Sequence, residues 1–445
     1  MRPAAQLAVI GIGTLVVPLD TTVNVALPHI VAAFGIPVPA IQWVVICYVL
    51  FNASLMLVCG RLGDLFGYRR VFMAGCLWSA AAFALCAAAP AYPWLLAARA
   101  LQGVGAALVL SVGPALATAA FDEARRTRVL GLYTMMFGVG AAAGPLLGGA
   151  LLAAWGWSAV FAFRAPLALV AFALAWALPS GTTRPASFDA AGGALLVLAM
   201  GALLLALDQL QRGGTAVSLG GYAVLAIVAG WGFARVQRQR ASPLIDLAHF
   251  RDIRLVFALA SGIGVNVAGF SILLLGPFLL AQVAALSPLA SGVVLAASPL
   301  GMVVAAPLAE RIAARIGMTR LTALGLAVTA TGLALLGTGS AAIGVMVAGM
   351  FVQGFGQGLF QVANFDVITG ALPARDRGVA GGLAFLTRTF GLMLGATLLM
   401  LLMQGLAAQS GAEGTVALVA GIEGTYRIAA IVPLALLLAG WRVGR

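Results

Sequence analysis

The chain is predicted to be an all-α, polytopic membrane protein: two six-helix bundles plus two additional helices, fourteen transmembrane helices in all. Three observations predict this. Of 445 residues, 62% are hydrophobic and only 9% are charged, with a mean hydropathy of +1.08. A soluble domain carries about 25% charged residues, so this chain has too little charge to coat a water-facing surface. Apolar runs then recur at the length a helix needs to cross a bilayer, roughly 20 residues. Finally, the second half of the chain repeats short motifs of the first.

The spans fall near residues 5–27, 40–59, 71–90, 93–118, 128–152, 157–178, 190–210, 217–234, 255–281, 288–307, 321–339, 341–368, 378–403 and 424–441. Within such spans every backbone polar group must be satisfied internally, which a helix does. The eighth is the weakest, because Gly220, Gly221, Gly230 and Gly232 dilute it. An even number of spans puts both termini on one side. If that side is cytoplasmic, twenty arginines, Arg2, Arg184, Arg375 and Arg445 among them, fall inside. Only Arg212 and Arg427 fall near the outer face. This is the positive-inside bias of a membrane protein. It also accounts for the formal charge of +12, as arginines set against anionic lipid, with no nucleic-acid-binding element required.

The repeat gives the domain plan. Arg61-Leu62-Gly63 through Gly67 and Arg70 recurs as Arg311-Ile312-Ala313 through Gly317 and Arg320. Gln102-Gly103-Val104-Gly105 recurs as Gln353-Gly354-Phe355-Gly356, and Val129 and Gly131 match Val379 and Gly381. The expected division is an N-terminal six-helix bundle over 1–180, two additional helices with a cytoplasmic loop over 181–250, and a C-terminal six-helix bundle over 251–445. Repeats of this kind place a substrate site between the halves, near the membrane midplane.

Four cysteines lie in apolar segments with no CxxC pair, and there are only two histidines. No metal site or cofactor is expected, and the cysteines read as small buried hydrophobes. No nucleophile–base constellation is visible either, so an enzyme is not expected.

Ionisable residues inside a membrane are expensive and therefore functional candidates. Asp20 lies in the first span with Thr21 and Asn24 beside it and Pro18 just before; Arg99 lies in the fourth with Gln102 one turn on. On the orientation above both sit in the outer half of the membrane and can meet across a helix interface. Two roles stay open for the pair: a carboxylate whose protonation alternates with conformation, or a static ion pair that fixes helix packing. Arg164 and Arg388 are the other membrane arginines, each suited to an anionic substrate group, to a carboxylate partner, or to structure alone. Asp208 and Asp366 lie near span ends, where interfacial water is within reach. Gly144 and Gly148 have small-xxx-small spacing for close helix approach, and Pro145 removes a helical hydrogen bond.

These residues resemble the major facilitator superfamily, and within it the fourteen-helix drug:proton antiporter branch. Gly60-Arg61-Leu62-Gly63-Asp64-Leu65-Phe66-Gly67-Tyr68-Arg69-Arg70 is similar to the loop motif between helices 2 and 3. Leu19-Asp20-Thr21-Thr22-Val23-Asn24-Val25-Ala26-Leu27-Pro28 is similar to the helix 1 motif of the drug antiporters. Arg99-Ala100-Leu101-Gln102-Gly103 and Gly144-Pro145-Leu146-Leu147-Gly148-Gly149 are similar to the helix 4 and helix 5 motifs. Phe188-Asp189 and Pro243-Leu244-Ile245-Asp246 resemble segments flanking the two additional helices.

The resemblance implies a proton-coupled exporter of drugs or other small amphipathic compounds, working by alternating access. Asp20 would be its protonatable group and Arg99 the partner, with Asn24, Gln102, Arg164 and Arg388 as cavity candidates. Arg61, Asp64 and Arg70 would form a cytoplasmic latch, Asp64 reaching the start of helix 13 near Gly378. Gly144 and Pro145 would belong to a hinge. The implied partners are a small-molecule substrate, protons and membrane lipid, for a monomer in a bacterial inner membrane. Arg164 departs from the branch, standing where a neutral amide is expected, and this favours an anionic or zwitterionic substrate. Ala314 stands where the first half has Asp64, so any latch is asymmetric. The rivals are a metabolite importer or facilitator, against which the Gly-Pro motif argues, and a receptor that does not transport, against which Asp20 and Arg99 argue.

Overall fold

The computed structural model describes residues 3–36, 38–119, 121, 125–178, 189–211, 214–240, 243–280, 286, 288–338, 342–373 and 376–443. Arg2, Arg184, Phe188, Arg212, Arg375 and Arg445 lie outside these residues.

The first span is not one continuous helix. α1 (Pro3–Leu15) ends ahead of a 3-10 turn, Pro18–Thr21, and α2 (Thr22–Phe34) begins directly after it. Pro18 has no N–H to give the preceding turn, so the backbone tightens there and Asp20 is carried on the break. α3 (Gln42–Phe66), α4 (Tyr68–Ala87), α5 (Tyr92–Ala119) and α6 (Arg126–Trp155) follow as long helices. α6 runs unbroken through Pro145. The expected sixth span arrives in two pieces, α7 (Ala159–Ala162) and α8 (Arg164–Ala175). The step falls at Phe163 because Pro166 cannot donate to the carbonyl four residues back, that of Ala162.

The later helices are α9 (Ala190–Gln211), α10 (Ala216–Gln239), α11 (Ile253–Phe278), α12 (Pro288–Leu295), α13 (Ala297–Ile316), α14 (Met318–Gly337), α15 (Ile343–Ala371), α16 (Arg377–Gln409) and α17 (Gly414–Val443). Among the described residues thirteen helical segments are long and apolar enough to cross a membrane, and Ala159–Ala175 is a shorter apolar stretch. α10 shows why the medium must be lipid. Only 6% of its apolar window is buried, and Val217, Val224, Ile227, Val228 and Trp231 face outward.

The chain forms two compact units. One comprises Met1–Leu205, Gly220–His249 and Thr369–Leu386; the other comprises Ala206–Leu219, Phe250–Ile368 and Thr387–Arg445. In the first, α5 packs between α3 and α4, and Val23, Ile30, Val44, Cys86, Leu95 and Phe161 form part of the core. In the second, α17 packs on α11 and α14 around Ile272, Leu275, Leu333, Met350 and Tyr426. Cys59, Cys76 and Cys86 are buried and Cys47 half-buried, all as free thiols.

The sequence repeat has a packing cause visible inside each unit. A β-carbon on Gly103 would press on the Tyr48 carbonyl at 2.5 Å, and one on Gly354 would fall on the Ser298 carbonyl. One on Gly75 would meet the Val109 amide at 3.0 Å, and one on Gly325 the Phe360 amide at 2.6 Å. The glycines recur because, at these matching points, each unit brings two helix backbones too close for a side chain. Gly67 (φ 93°) joins α3 to α4, and Gly317 (φ 82°) joins α13 to α14, both in backbone that a side chain would strain.

Asp366 is half-buried on α15. Asp208 differs from expectation: it is 5% exposed rather than reaching outward, because the last turn of α9 packs within the second unit.

Candidate functional site

The break at Pro18–Thr21 exists where α6 comes closest. Gly140, Gly144 and Gly148 lie one turn apart along α6 and present no side chain to the strand of backbone around Asp20. A β-carbon on Gly140 would meet Pro18 Cγ at 2.7 Å, one on Gly144 would overlap the Thr21 hydroxyl, and one on Gly148 would meet Thr22 Cα at 2.9 Å. The Thr21 hydroxyl donates to the Pro18 carbonyl at 3.0 Å, holding the turn in place. Small residues thus serve to seat the turn that carries the carboxylate.

Both carboxylate oxygens of Asp20 are engaged. Its Oδ1 accepts from Arg99 Nη1 at 2.6 Å, from Gln102 Nε2 at 2.8 Å and from Arg164 Nη1 at 2.8 Å; its Oδ2 accepts from Arg99 Nη2 at 2.9 Å. Arg99 also donates Nε to the Val44 carbonyl at 2.7 Å and Nη1 to Gln102 Oε1 at 2.7 Å. Tyr48 lies under the Arg99 guanidinium at 4.6 Å from its ring centre, and Phe83 under that of Arg164 at 4.4 Å. Both arginines are fully buried, while the Asp20 side chain keeps 16% of its surface. An ion pair sealed this way is a large commitment: desolvation of each charge costs several kcal/mol, and only close partners offset it.

The structure therefore gathers Asp20, Arg99, Gln102 and Arg164, which sequence reasoning proposed singly or in pairs. Asn24, another of the cavity candidates, is not part of the cluster. Asn24 is exposed, one turn beyond Asp20, and Arg388 is half-buried on α16 in the second unit. Tyr48, Phe83 and Phe161 were not foreseen; aromatic residues in an apolar chain carry no mark that separates a cation-facing ring from a packing one.

A second cluster lies at the end of α3. Asp64 Oδ1 accepts from the Gly378 amide at 2.7 Å and from the Tyr68 hydroxyl at 2.8 Å, and Oδ2 accepts from the Val379 amide at 3.2 Å. Those amides are among the first of α16, which lack helical acceptors and are capped here by a carboxylate from elsewhere in the chain. Arg61 pairs with Asp376 at 3.0 Å. Arg70 is exposed and is not among the partners of Asp64; Tyr68, inside the same motif, holds that position.

The two segments flanking α9 and α10 also meet. Asp189 accepts from the Gly192 amide at 2.9 Å, capping α9, and from Gln237 Nε2 at 2.8 Å. Gln237 Oε1 in turn accepts from the Leu244 amide at 2.6 Å. Gln237→Leu removes both contacts and leaves buried groups unmatched, an expected loss of about 1–3 kcal/mol. Hydrogen exchange at the Leu244 amide should accelerate; exchange at the wild-type rate would show that the clasp holds nothing.

Three comparisons bear on what this arrangement belongs to. The profile of the Major Facilitator Superfamily matches residues 10–396 and, in an overlapping placement, 259–443. The chain is 32% identical over 395 residues to the multidrug resistance protein Stp of Mycobacterium tuberculosis (strain CDC 1551 / Oshkosh), covering 87% of this chain and 74% of Stp. It is 28% identical over 395 residues to the riboflavin transporter RibZ of Clostridioides difficile (strain 630), covering 87% and 86%. Among solved structures, the human organic anion transporter MFSD10 (TETRAN) superposes with a TM-score of 0.69 at 16% identity, covering 99% of this chain and 100% of that one. A likeness at that identity speaks to the fold.

Proposed function

The chain belongs to the major facilitator superfamily, as a multi-pass membrane transporter of small molecules and not an enzyme, and on that premise we propose that it is a proton-coupled exporter of drugs or other small amphipathic compounds. The observation that carries this is one carboxylate at a helix break, held by two buried guanidiniums and an amide. A proton and these donors compete for the same two oxygens. Protonation of Asp20 therefore goes with withdrawal of at least one guanidinium, and a change in the site's bonding is coupled to a change in helix position. The similarity to a multidrug resistance protein supports export as the direction. One proton crossing 100 mV supplies about 2.3 kcal/mol, enough for roughly fiftyfold accumulation of a neutral solute.

In this scheme the bundles over 1–180 and 251–445 alternate access to a central cavity, with the two helices of 181–250 added between them in sequence. Arg99 and Gln102 position Asp20, and Asn24 and Arg388 belong to the cavity wall. Asp64, with Arg61 and Tyr68, latches the cytoplasmic side, where both termini lie; Arg70 faces lipid or water beside it. Gly144 and Pro145 form the hinge face. The protein works as a monomer in a bacterial inner membrane.

The test is proton movement in sealed proteoliposomes, followed with a pH-sensitive dye while amphipathic compounds of both charges are added. Wild type should move protons on substrate addition and Asp20→Asn should not. Transport of any compound by wild type without proton movement sinks the coupling. A second reading, a metabolite importer or facilitator, is favoured by the similarity to a riboflavin transporter. Riboflavin uptake down its own gradient, with no proton counterflow, would select it.

A further inference from the structure

Arg164 is the member of the cluster with capacity left over. Every nitrogen of Arg99 has an acceptor: Nε and Nη2 have one each and Nη1 has two. Arg164 spends only Nη1, on Asp20. Its Nε and Nη2 are buried and have no hydrogen-bond acceptor among the described residues, although the whole side chain is 0% exposed. Those two N–H groups share one edge of the guanidinium and point the same way. That edge is the fork which takes both oxygens of a carboxylate side by side.

The charge count points in the same direction. Two guanidiniums face one carboxylate, so the cluster carries one excess positive charge in a desolvated place. The rings that wall it, Phe83 at 4.4 Å and Phe161 at 5.6 Å from the guanidinium, soften that charge without neutralising it. A negative group added at the free edge brings the cluster to neutrality and satisfies both donors. A positive group added nearby doubles the excess, where little solvent screens it.

We propose that Arg164 determines which compounds this transporter accepts: its free edge receives the carboxylate of an acidic amphipathic substrate, and its charge turns away cationic ones. The inference rests on the chain being a transporter with its site at Asp20, and it is independent of whether protons drive the cycle. The edge is closed over in the structure, so a substrate reaches it only as Arg164 shifts, and the Asp20 side chain beside it keeps 16% of its surface. Substrate entry would draw Arg164 from Asp20 and so disturb the same bonds that a proton disturbs.

A matched set of naphthalene compounds tests this on purified full-length protein: 1-naphthylacetate, its neutral amide 1-naphthylacetamide, and the cationic 2-(1-naphthyl)ethylamine. Affinities would be measured by titration calorimetry in detergent, apart from any flux. The acetate should bind wild type about tenfold or more tighter than the amide, the gain from a charged, two-pronged contact, and the amine should bind weakest. Arg164→Gln should bring acetate and amide together and improve the amine; Arg164→Lys, which keeps charge but not the fork, should fall between. The wild-type ranking needs no variant to fold. Equal binding of acetate and amine by wild type, no acetate binding at all, or an acetate preference that survives in folded Arg164→Gln overturns the proposal. An acetate preference combined with transport that moves no protons leaves the proposal standing and removes proton coupling alone.

Discussion

Asp20→Asn is expected to lower the stability of the folded protein by about 3–5 kcal/mol, and Arg164→Gln in the same chain is expected to restore much of it. The two guanidiniums touch the same carboxylate oxygen, at 2.6 and 2.8 Å. With the carboxylate neutralised they remain as adjacent buried cations. Like charges about 5 Å apart repel by about 3 kcal/mol at an effective dielectric near 20, and here nothing remains between them to offset it. Removing one guanidinium returns the cluster to a single excess charge, the count it has in the native protein. The energies should therefore fail to add, with a coupling of about 1.5 kcal/mol or more between the two positions. Thermal unfolding in detergent of wild type, both single variants and the double variant reads this directly. If the double variant is as unstable as the sum of the singles, Arg99 and Arg164 do not share Asp20 as described. The double variant also supplies a folded protein without the carboxylate, which makes silence in a proton-flux assay interpretable.

Gly60→Val is expected to open the end of α3 and raise amide exchange at Gly378 and Val379 at least a hundredfold. A β-carbon at Gly60 would collide with the Gly378 carbonyl, and one at Gly378 with the Gly60 carbonyl, so the two backbones touch with no room for a side chain. Immediately beside this crossing Asp64 holds the two amides and Arg61 holds Asp376. Pushing the backbones apart breaks all three contacts together. Two charge-assisted hydrogen bonds are worth about 1.5–3 kcal/mol each, which sets the hundredfold as a lower figure. Exchange measured by mass spectrometry that leaves the 376–382 segment as protected as in wild type would contradict this. In a transporter cycle the same variant favours the conformation in which the latch is open, and export should slow accordingly.

Much of this was legible in the residues. Hydropathy gave the spans, and two ionisable side chains placed at one depth of a membrane, Asp20 and Arg99, have few places to go except to each other. The spacing of Gly144 and Gly148 announced a close approach, though not that the approaching backbone is the turn at Thr21 and Thr22. What the residues do not carry is which helix neighbours which. Arg164 suits an anionic substrate group, a carboxylate partner or structure alone until the step at Phe163 sets α8 beside α1 and α4. Asn24 shares a helix face with Asp20 only if the helix is continuous. The 3-10 turn advances three residues per turn rather than 3.6, and Asn24 ends up exposed. The motif implies Arg61, Asp64 and Arg70 as the latch, whereas the Tyr68 hydroxyl within the same motif is the side chain that donates to Asp64. Gln237 had no motif at all; only the fold shows that it ties Asp189 to Leu244.

The composition of the first unit has a consequence for how the protein is made. That unit includes Thr369–Leu386, more than a hundred residues downstream of its preceding segment, which ends at His249. Ribosomes add about 5–20 residues per second, so on the order of ten seconds separates the two. Throughout that interval Asp64 is without the amides of Gly378 and Val379, and the face of α3 at Gly60 is without the backbone that covers it. The first unit therefore enters the membrane unfinished and is completed by a stretch of chain made more than a hundred residues later. A fragment ending at His249 is a unit lacking one of its walls, and cellular quality control meets it as such.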